Sequence, residues 1–132
     1  MSLSPRKIVR IFYEADLIHN EQILKDYLHA EVTLNWNSSF GFSKKNFDDI
    51  LRMFKGMQSA FEFSRNKITH LLTDKNTVTI RHTFFAKAIE RSKEEAIAHF
   101  MCIWELKEDK LYKGYMISQQ ADFSVENMET FL

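Results

Sequence analysis

The residues of this chain best placed to do chemistry lie on one alternating segment, Val78 to Ala88. Every second residue gives Val78, Ile80, His82, Phe84, Ala86 and Ala88 on one face, against Thr77, Thr79, Arg81, Thr83 and Lys87 on the other. Period two over this length predicts a half-buried antiparallel strand. Its apolar face then carries one titratable group, His82. A neutral imidazole among aliphatic and aromatic neighbours is either a general base working near neutral pH or a core histidine hydrogen-bonded to tyrosine or backbone. The residues leave both readings open. His70, on the parity of Ile68 and Leu72, either joins His82 or is structural. Asp122 is expected at a strand end, as an acid or base at a pocket mouth or as a solvated carboxylate.

Other side chains are expected to wall such a pocket. Trp36 offers an apolar face and one directional N–H donor. Phe84 shares the parity of His82, and Phe100, Cys102 and Trp104 share one face of a later strand. Tyr13 and Tyr27, on helices, are core residues unless a phenol reaches the cavity; Tyr112 and Tyr115 fall on opposite faces of their strand. Cys102 reads as a small hydrophobe, since no basic neighbour would ionise it. The sequence contains no HExxH, CxxC, glycine-rich phosphate loop or nucleophile elbow, and its five histidines are scattered. No metal and no nucleotide cofactor are expected.

The elements that must position these residues follow from periodicity. Ser4-Pro5 starts a helix that buries Ile8, Ile11, Phe12, Ala15 and Ile18. Asn20 caps a second helix, Glu21 to Leu28, and from Val32 the period changes to two for a first strand through Trp36. A loop from Asn37 to Phe42 precedes a third helix capped by Ser43, with Phe47, Ile50, Leu51, Phe54 and Met57 inward. Four long strands follow: Phe63 to Leu72, the Val78 segment, Ala96 to Lys107 and Leu111 to Ala121. Short polar turns join most of them, which predicts an antiparallel meander. The tail, 123–132, makes one or two helical turns with Val125, Met128, Phe131 and Leu132 to one side. It would lid the pocket, pack on a partner subunit or fray.

In the Ala96 strand both faces are apolar. Ala96, Ala98, Phe100, Cys102, Trp104 and Leu106 lie on one side, and Ile97, Met101 and Ile103 share the other with His99. Phe85 adds to that second face, and no remaining element covers it. An uncovered apolar face predicts self-association, here a homodimer through Phe85, Ile97, Met101 and Ile103.

Bulk composition narrows the function classes. The 132 residues predict one domain with a core over about 5–122 and a tail beyond it. Eighteen basic and eighteen acidic residues cancel, so charge gives no reason to expect nucleic acid or a membrane surface as partner. Apolar runs are too short to span a bilayer, and the single cysteine fits a reducing compartment, which predicts a cytoplasmic protein.

The order of elements, with Ile23-Leu24-Lys25-Asp26-Tyr27 leading into Val32-Thr33-Leu34-Asn35-Trp36, resembles the nuclear transport factor 2-like superfamily, SnoaL-like group. Gly41 before the third helix, the Val78-x-Ile80-x-His82-x-Phe84 strand, the Trp104-x-Leu106…Lys110-Leu111 hairpin and Asp122 also fit. The resemblance covers roughly Ile8 to Asp122. It implies an α+β fold: a cone-shaped barrel of a curved, mainly antiparallel sheet with the N-terminal helices packed on its concave face, sheet-mediated dimers and a deep apolar pocket. Ketosteroid isomerase, a member, needs a carboxylate base and a protonated acid. This chain has Asn35 and Trp36 near the first position and Phe100 and Cys102 near the second, so steroid-type isomerisation is not expected. Dehydratase and cyclase members use His or Asp, roles that His82, His70 and Asp122 would fill. The functional expectation is therefore a protein binding a small hydrophobic or aromatic molecule, with cofactor-free dehydratase, isomerase or cyclase chemistry if it is an enzyme. The alternative is a non-catalytic homodimeric interaction module.

Overall fold

The computed structural model describes residues 3–122 and 124–130. Its first helix, α1 (Pro5–Glu14), begins where the Ser4 side chain accepts a hydrogen bond from the Lys7 amide and Pro5 occupies the first turn. It buries Ile8, Val9, Phe12 and Tyr13. The expected extension to Ile18 does not form. Ala15 turns to extended backbone, and the Asp16 carboxylate accepts from the amides of Ile18 and His19, a local turn that competes with the helix. Helix α2 (Glu21–Tyr27) carries the Asn20 cap and runs directly into strand β1 (Leu28–Ser38), four residues earlier than the alternation suggests.

The expected loop after Asn37 is instead a hairpin. Strand β2 (Gly41–Lys45) pairs antiparallel with β1, and Gly41 supplies the positive φ of +102° that the turn demands. Ser43 therefore lies in a strand opposite Trp36 and caps nothing. The cap of α3 (Phe47–Gly56) is Asn46, whose side chain accepts from the Asp49 amide while the Asp49 carboxylate accepts from the Asn46 amide. This reciprocal box satisfies two helix-terminal donors, which a Ser43 start, with Asn46 at its third position, offers less well.

Strands β3 (Phe61–Asp74), β4 (Thr77–Ala88), β5 (Glu95–Lys107) and β6 (Lys110–Gln120) form the meander, and β1 joins β6 in parallel. The result is a six-stranded mixed sheet in the order β2-β1-β6-β5-β4-β3, open between its two edge strands. The helices cover one face. Its core includes Leu24, Leu28, Val78, Ile80, Trp104 and Leu111, each at most 2% exposed. Fully burying aliphatic side chains of this kind stabilises by about 1.5–3 kcal/mol each, so this face dominates the hydrophobic contribution.

The other face, outer to the helices, is half covered. A short helix α4 (Val125–Glu129) follows a turn in which the Asp122 carboxylate accepts from the Ser124 amide and hydroxyl. The Arg81 guanidinium donates to the Thr130 carbonyl at 3.1 Å, and Asn127 lies 3.3 Å from the imidazole of His99. Arg81 and His99 both point away from the main helices, so the described tail sits on the outer sheet face and is no lid. Phe123, Phe131 and Leu132, to which part of that expectation applied, lie outside the described residues.

Candidate functional site

The inward row of β5 changes size along its length. Ala96 and Ala98 are small, Phe100 stands in the middle, and Trp104 fills the far end. Beside it, β6 presents Ser118, Met116 and Gly114 in matching register. Where the β5 row is small a cavity of about 490 Å³ remains between helices and sheet, a volume typical of small-molecule sites. Phe12, Tyr13, Ile50 and Phe54 roof it from α1 and α3, while Trp36, Phe84, Phe100 and Ser118 lie on the sheet side. Phe40, at the hairpin tip and 88% exposed, stands at its mouth.

His82 is the most deeply buried of the hydrophilic residues in this wall. It is 2% exposed and held between two rings: Tyr13 at 4.6 Å between centroids and Phe100, parallel, at 5.0 Å. The Asn66 amide oxygen lies 2.8 Å from Nδ1. An oxygen there accepts, so Nδ1 carries the proton and Nε2 is left with a bare lone pair. Among the described residues, that Nε2 is the one buried side-chain nitrogen or oxygen with no hydrogen-bond partner. Burial pushes the imidazole pKa down to about 3, so the ring is neutral at physiological pH.

The other expected site residues separate into two groups. Trp36, Phe84, Phe100 and Tyr13 line the cavity with His82. Cys102 and Trp104 do not: they continue the same inward row past His82, opposite Ile80 and Val78, into filled core. There the Trp104 indole N–H donates to the Tyr13 hydroxyl at 2.8 Å, and burial raises the Cys102 and Tyr13 pKa values, which keeps both protonated. His70 is corrected outright. A register shift between Ile68 and His70 reverses the strand's parity, so Leu71 turns inward while His70 is exposed against Thr69. Asp122 is exposed, outside the cavity and committed to Ser124. It is no acid at the mouth.

Two of the polar lining residues, Asn66 and Ser118, show what a reading based on apolar alternation misses. Asn66 precedes the bulge in β3 and fixes His82. Ser118, on β6, accepts a 2.8 Å hydrogen bond from the Trp36 indole. Each interrupts an inward-facing row with a hydrogen-bonding group, the signal by which they could have been found. Among the described residues, no three His, Cys, Asp or Glu side chains are grouped as a metal site would need.

No protein-family model and no curated protein matches the sequence. Solved structures do. IdmH of Streptomyces antibioticus, a proposed polyketide cyclase, superposes with a TM-score of 0.71 at 12% identity, over 88% of this chain and 92% of that one. A proposed SnoaL-like polyketide cyclase of Shewanella denitrificans gives 0.67 at 10% identity, covering 96% of this chain and 95% of its own. The chain has the nuclear transport factor 2-like α+β fold of these structures. An epoxide hydrolase of Mycobacterium tuberculosis shares it, with a TM-score of 0.68 at 12% identity over 96% of this chain and 88% of that one. At such identities the likeness concerns the backbone fold, and the chemistry must be argued from the side chains. No helix among the described residues is long and apolar enough to cross a membrane.

Proposed function

We propose that this protein binds a neutral, hydrophobic or aromatic small molecule through a hydrogen-bond donor on the ligand. The observation that carries the reading is His82, a residue lining a mainly apolar cavity, whose buried Nε2 has no hydrogen-bond partner among the described residues. A buried acceptor left unmade costs about 1–3 kcal/mol, and a ligand hydroxyl or N–H recovers that energy. Asn66 holds the tautomer that keeps this acceptor available. A charged ligand is disfavoured, because no lysine or arginine lines the cavity and its one carboxylate, Glu95, is exposed and already paired with Arg91.

Catalysis is a weaker extension. Likeness to proposed polyketide cyclases and to an epoxide hydrolase supports cyclase- or hydrolase-type chemistry as that extension, with His82 as base. Yet an imidazole with a pKa near 3 is a poor base, and no carboxylate bonds its other nitrogen to stabilise an imidazolium. Binding is therefore the function this site supports best. The open cavity, with Trp36 and His82 both in its walls, also favours it over a pure interaction module.

Native mass spectrometry of the freshly purified protein, followed by denaturing extraction, tests the reading. The expected result is a bound neutral organic molecule that a folded His82→Leu variant no longer retains. Equal retention by that variant, or failure of a small-molecule screen to find any ligand, would overturn it.

The same spectra read the oligomer. We also propose a homodimer through the outer sheet face, where Ile97, Met101 and Ile103 are between 37% and 54% exposed and Phe85 borders them. Tyr115 and Ile117 on β6 extend the strip. A Met101→Lys substitution should shift a dimer towards monomer, and a wild-type protein that is strictly monomeric sinks this part.

A further inference from the structure

We infer that Ser118 is a second, specificity-determining anchor in the cavity, so that the ligand carries a donor at one end and an acceptor at the other. The inference rests on the binding role proposed for His82 and adds the far end of the ligand to it.

The first step is hydrogen-bond accounting. The Trp36 indole N–H has no acceptor capacity, so in its 2.8 Å contact with Ser118 the serine oxygen accepts. A hydroxyl that accepts still owns one proton. No acceptor for the proton exists among the described residues, and Ser118 lines the cavity. Trp36 thus turns the Ser118 oxygen so that its O–H is available to a ligand.

The second step is register. His82 on β4 pairs with Phe100 on β5, and Phe100 pairs with Ser118 on β6. The three residues form one row across three neighbouring strands, all on the helix-covered face. Two strand spacings separate the ends of the row by about 10 Å between Cα atoms. The acceptor His82 Nε2 and the donor Ser118 O–H therefore stand at opposite ends, with the Phe100 ring between them. That ring is stacked on the imidazole and 6.1 Å from the Trp36 ring.

A ligand matching this row is flat and apolar in its middle, with a hydroxyl or N–H directed to His82. At its other end it carries a carbonyl or ether oxygen directed to Ser118. Asn66 occupies the Nδ1 side of the ring, so the ligand's donor meets Nε2 alone. The chemical class is a neutral aromatic molecule with a hydroxyl or N–H at one end and a carbonyl or ether oxygen at the other, of which an aromatic hydroxyketone is a simple member.

Three matched probes test this by isothermal titration calorimetry. One is a naphthol bearing an acetyl group at the opposite end of the ring system; the second lacks the acetyl group; the third has the phenol capped as a methyl ether. The full hydroxyketone should bind the wild-type protein more tightly than either partial probe. Ser118→Ala should weaken the hydroxyketone by about fivefold to tenfold, the loss of one hydrogen bond, and leave the simple naphthol nearly unchanged. Ser118→Thr, which keeps the hydroxyl, should preserve the preference. Should Ser118→Ala weaken the naphthol and the hydroxyketone equally, or neither, Ser118 is no anchor while the His82 pocket stands. Should none of the three bind the wild-type protein, both the anchor and the pocket reading fall. Unchanged circular dichroism of each variant secures the comparison.

Discussion

The helix-covered face of the sheet has a closed end and an open end, built on the same three strands. At the closed end Trp104 is 2% exposed, its indole N–H held by the Tyr13 hydroxyl, and the ring lies directly over Gly114. A Cβ placed on Gly114 would stand 2.8 Å from Trp104 Cη2 and from Leu34 Cδ1. At the open end the same strands present Ala98 and Ser118, and a cavity of about 490 Å³ takes the room the tryptophan fills elsewhere. Backbone topology is common to both ends. The difference lies in side-chain volume, and it teaches that the pocket is made where the inward row of β5 shrinks from Trp104 to Ala98. The closed end is then expected to govern stability and the open end binding.

Removing the large partner at the closed end should produce the largest effect. Trp104→Ala should cost about 3–5 kcal/mol in chemical denaturation, because a rigid core around the vacated ring collapses only in part. A loss below about 1 kcal/mol would show that the closed end is not packed as described. Adding volume there should also cost. Gly114→Ala should destabilise by about 1–3 kcal/mol, since the indole is pinned by its hydrogen bond and cannot swing aside. A neutral result in the same assay would mean the two ends do not differ in packing.

His82 lies at the boundary between the two ends, and its effect should be seen with pH. Its pKa is near 3 in the folded chain, below the ordinary value of 6.5 that the unfolded chain restores. Between those values the unfolded state binds a proton that the folded state refuses, so stability rises with pH. The slope should approach about 1.4 kcal/mol per pH unit from roughly pH 4 to 5.5, fall to about half of that near pH 6.5 and flatten above. His99, also lowered by burial and by Arg81, adds to the same window. Asp16, Glu94, Asp49 and Asp122 have lowered values too, but carboxylates of this kind lose their contribution at lower pH. Denaturation midpoints of the wild-type protein and His82→Phe across this range isolate the histidine. Parallel curves would show that His82 is not buried neutral.

The order of elements and the row containing His82 were legible because they repeat with a fixed period over many residues. What escaped the sequence was local. The bulge before His70 changes parity through one inserted residue, and nothing in the composition of Thr69 announces it. The Asn46–Asp49 box and the turn at Gly41 are pairwise events that a single candidate cap, Ser43, concealed. Asp122 was drawn outward by Ser124 two residues away, a contact weaker than any periodic signal. Cys102 and Trp104 share the parity of Phe100, and parity cannot say how far along a strand a cavity extends. That depends on what faces the row across the gap, Tyr13 and Gly114 for Trp104. The partner strands settle it.

The smallest stability change should come with the largest change in binding. Ala98 pairs with Phe84 on one side and Gln120 on the other, and its methyl group borders the cavity. Ala98→Leu adds volume where space exists, so the gain from burying three more carbons and the strain of placing them should nearly cancel, within about 1 kcal/mol. The three added carbons would occupy the space beside Phe100 that a ligand needs. The variant should therefore melt close to the wild-type temperature and lose the affinity of the best naphthyl probe. The contrast with Gly114→Ala is the informative part: a single methyl at the closed end would cost more stability than three carbons at the open end. Ala98→Leu that destabilises as much as Gly114→Ala would mean the open end is already full. Ala98→Leu that melts normally and binds normally would place the ligand away from β5, nearer the hairpin tip at Phe40.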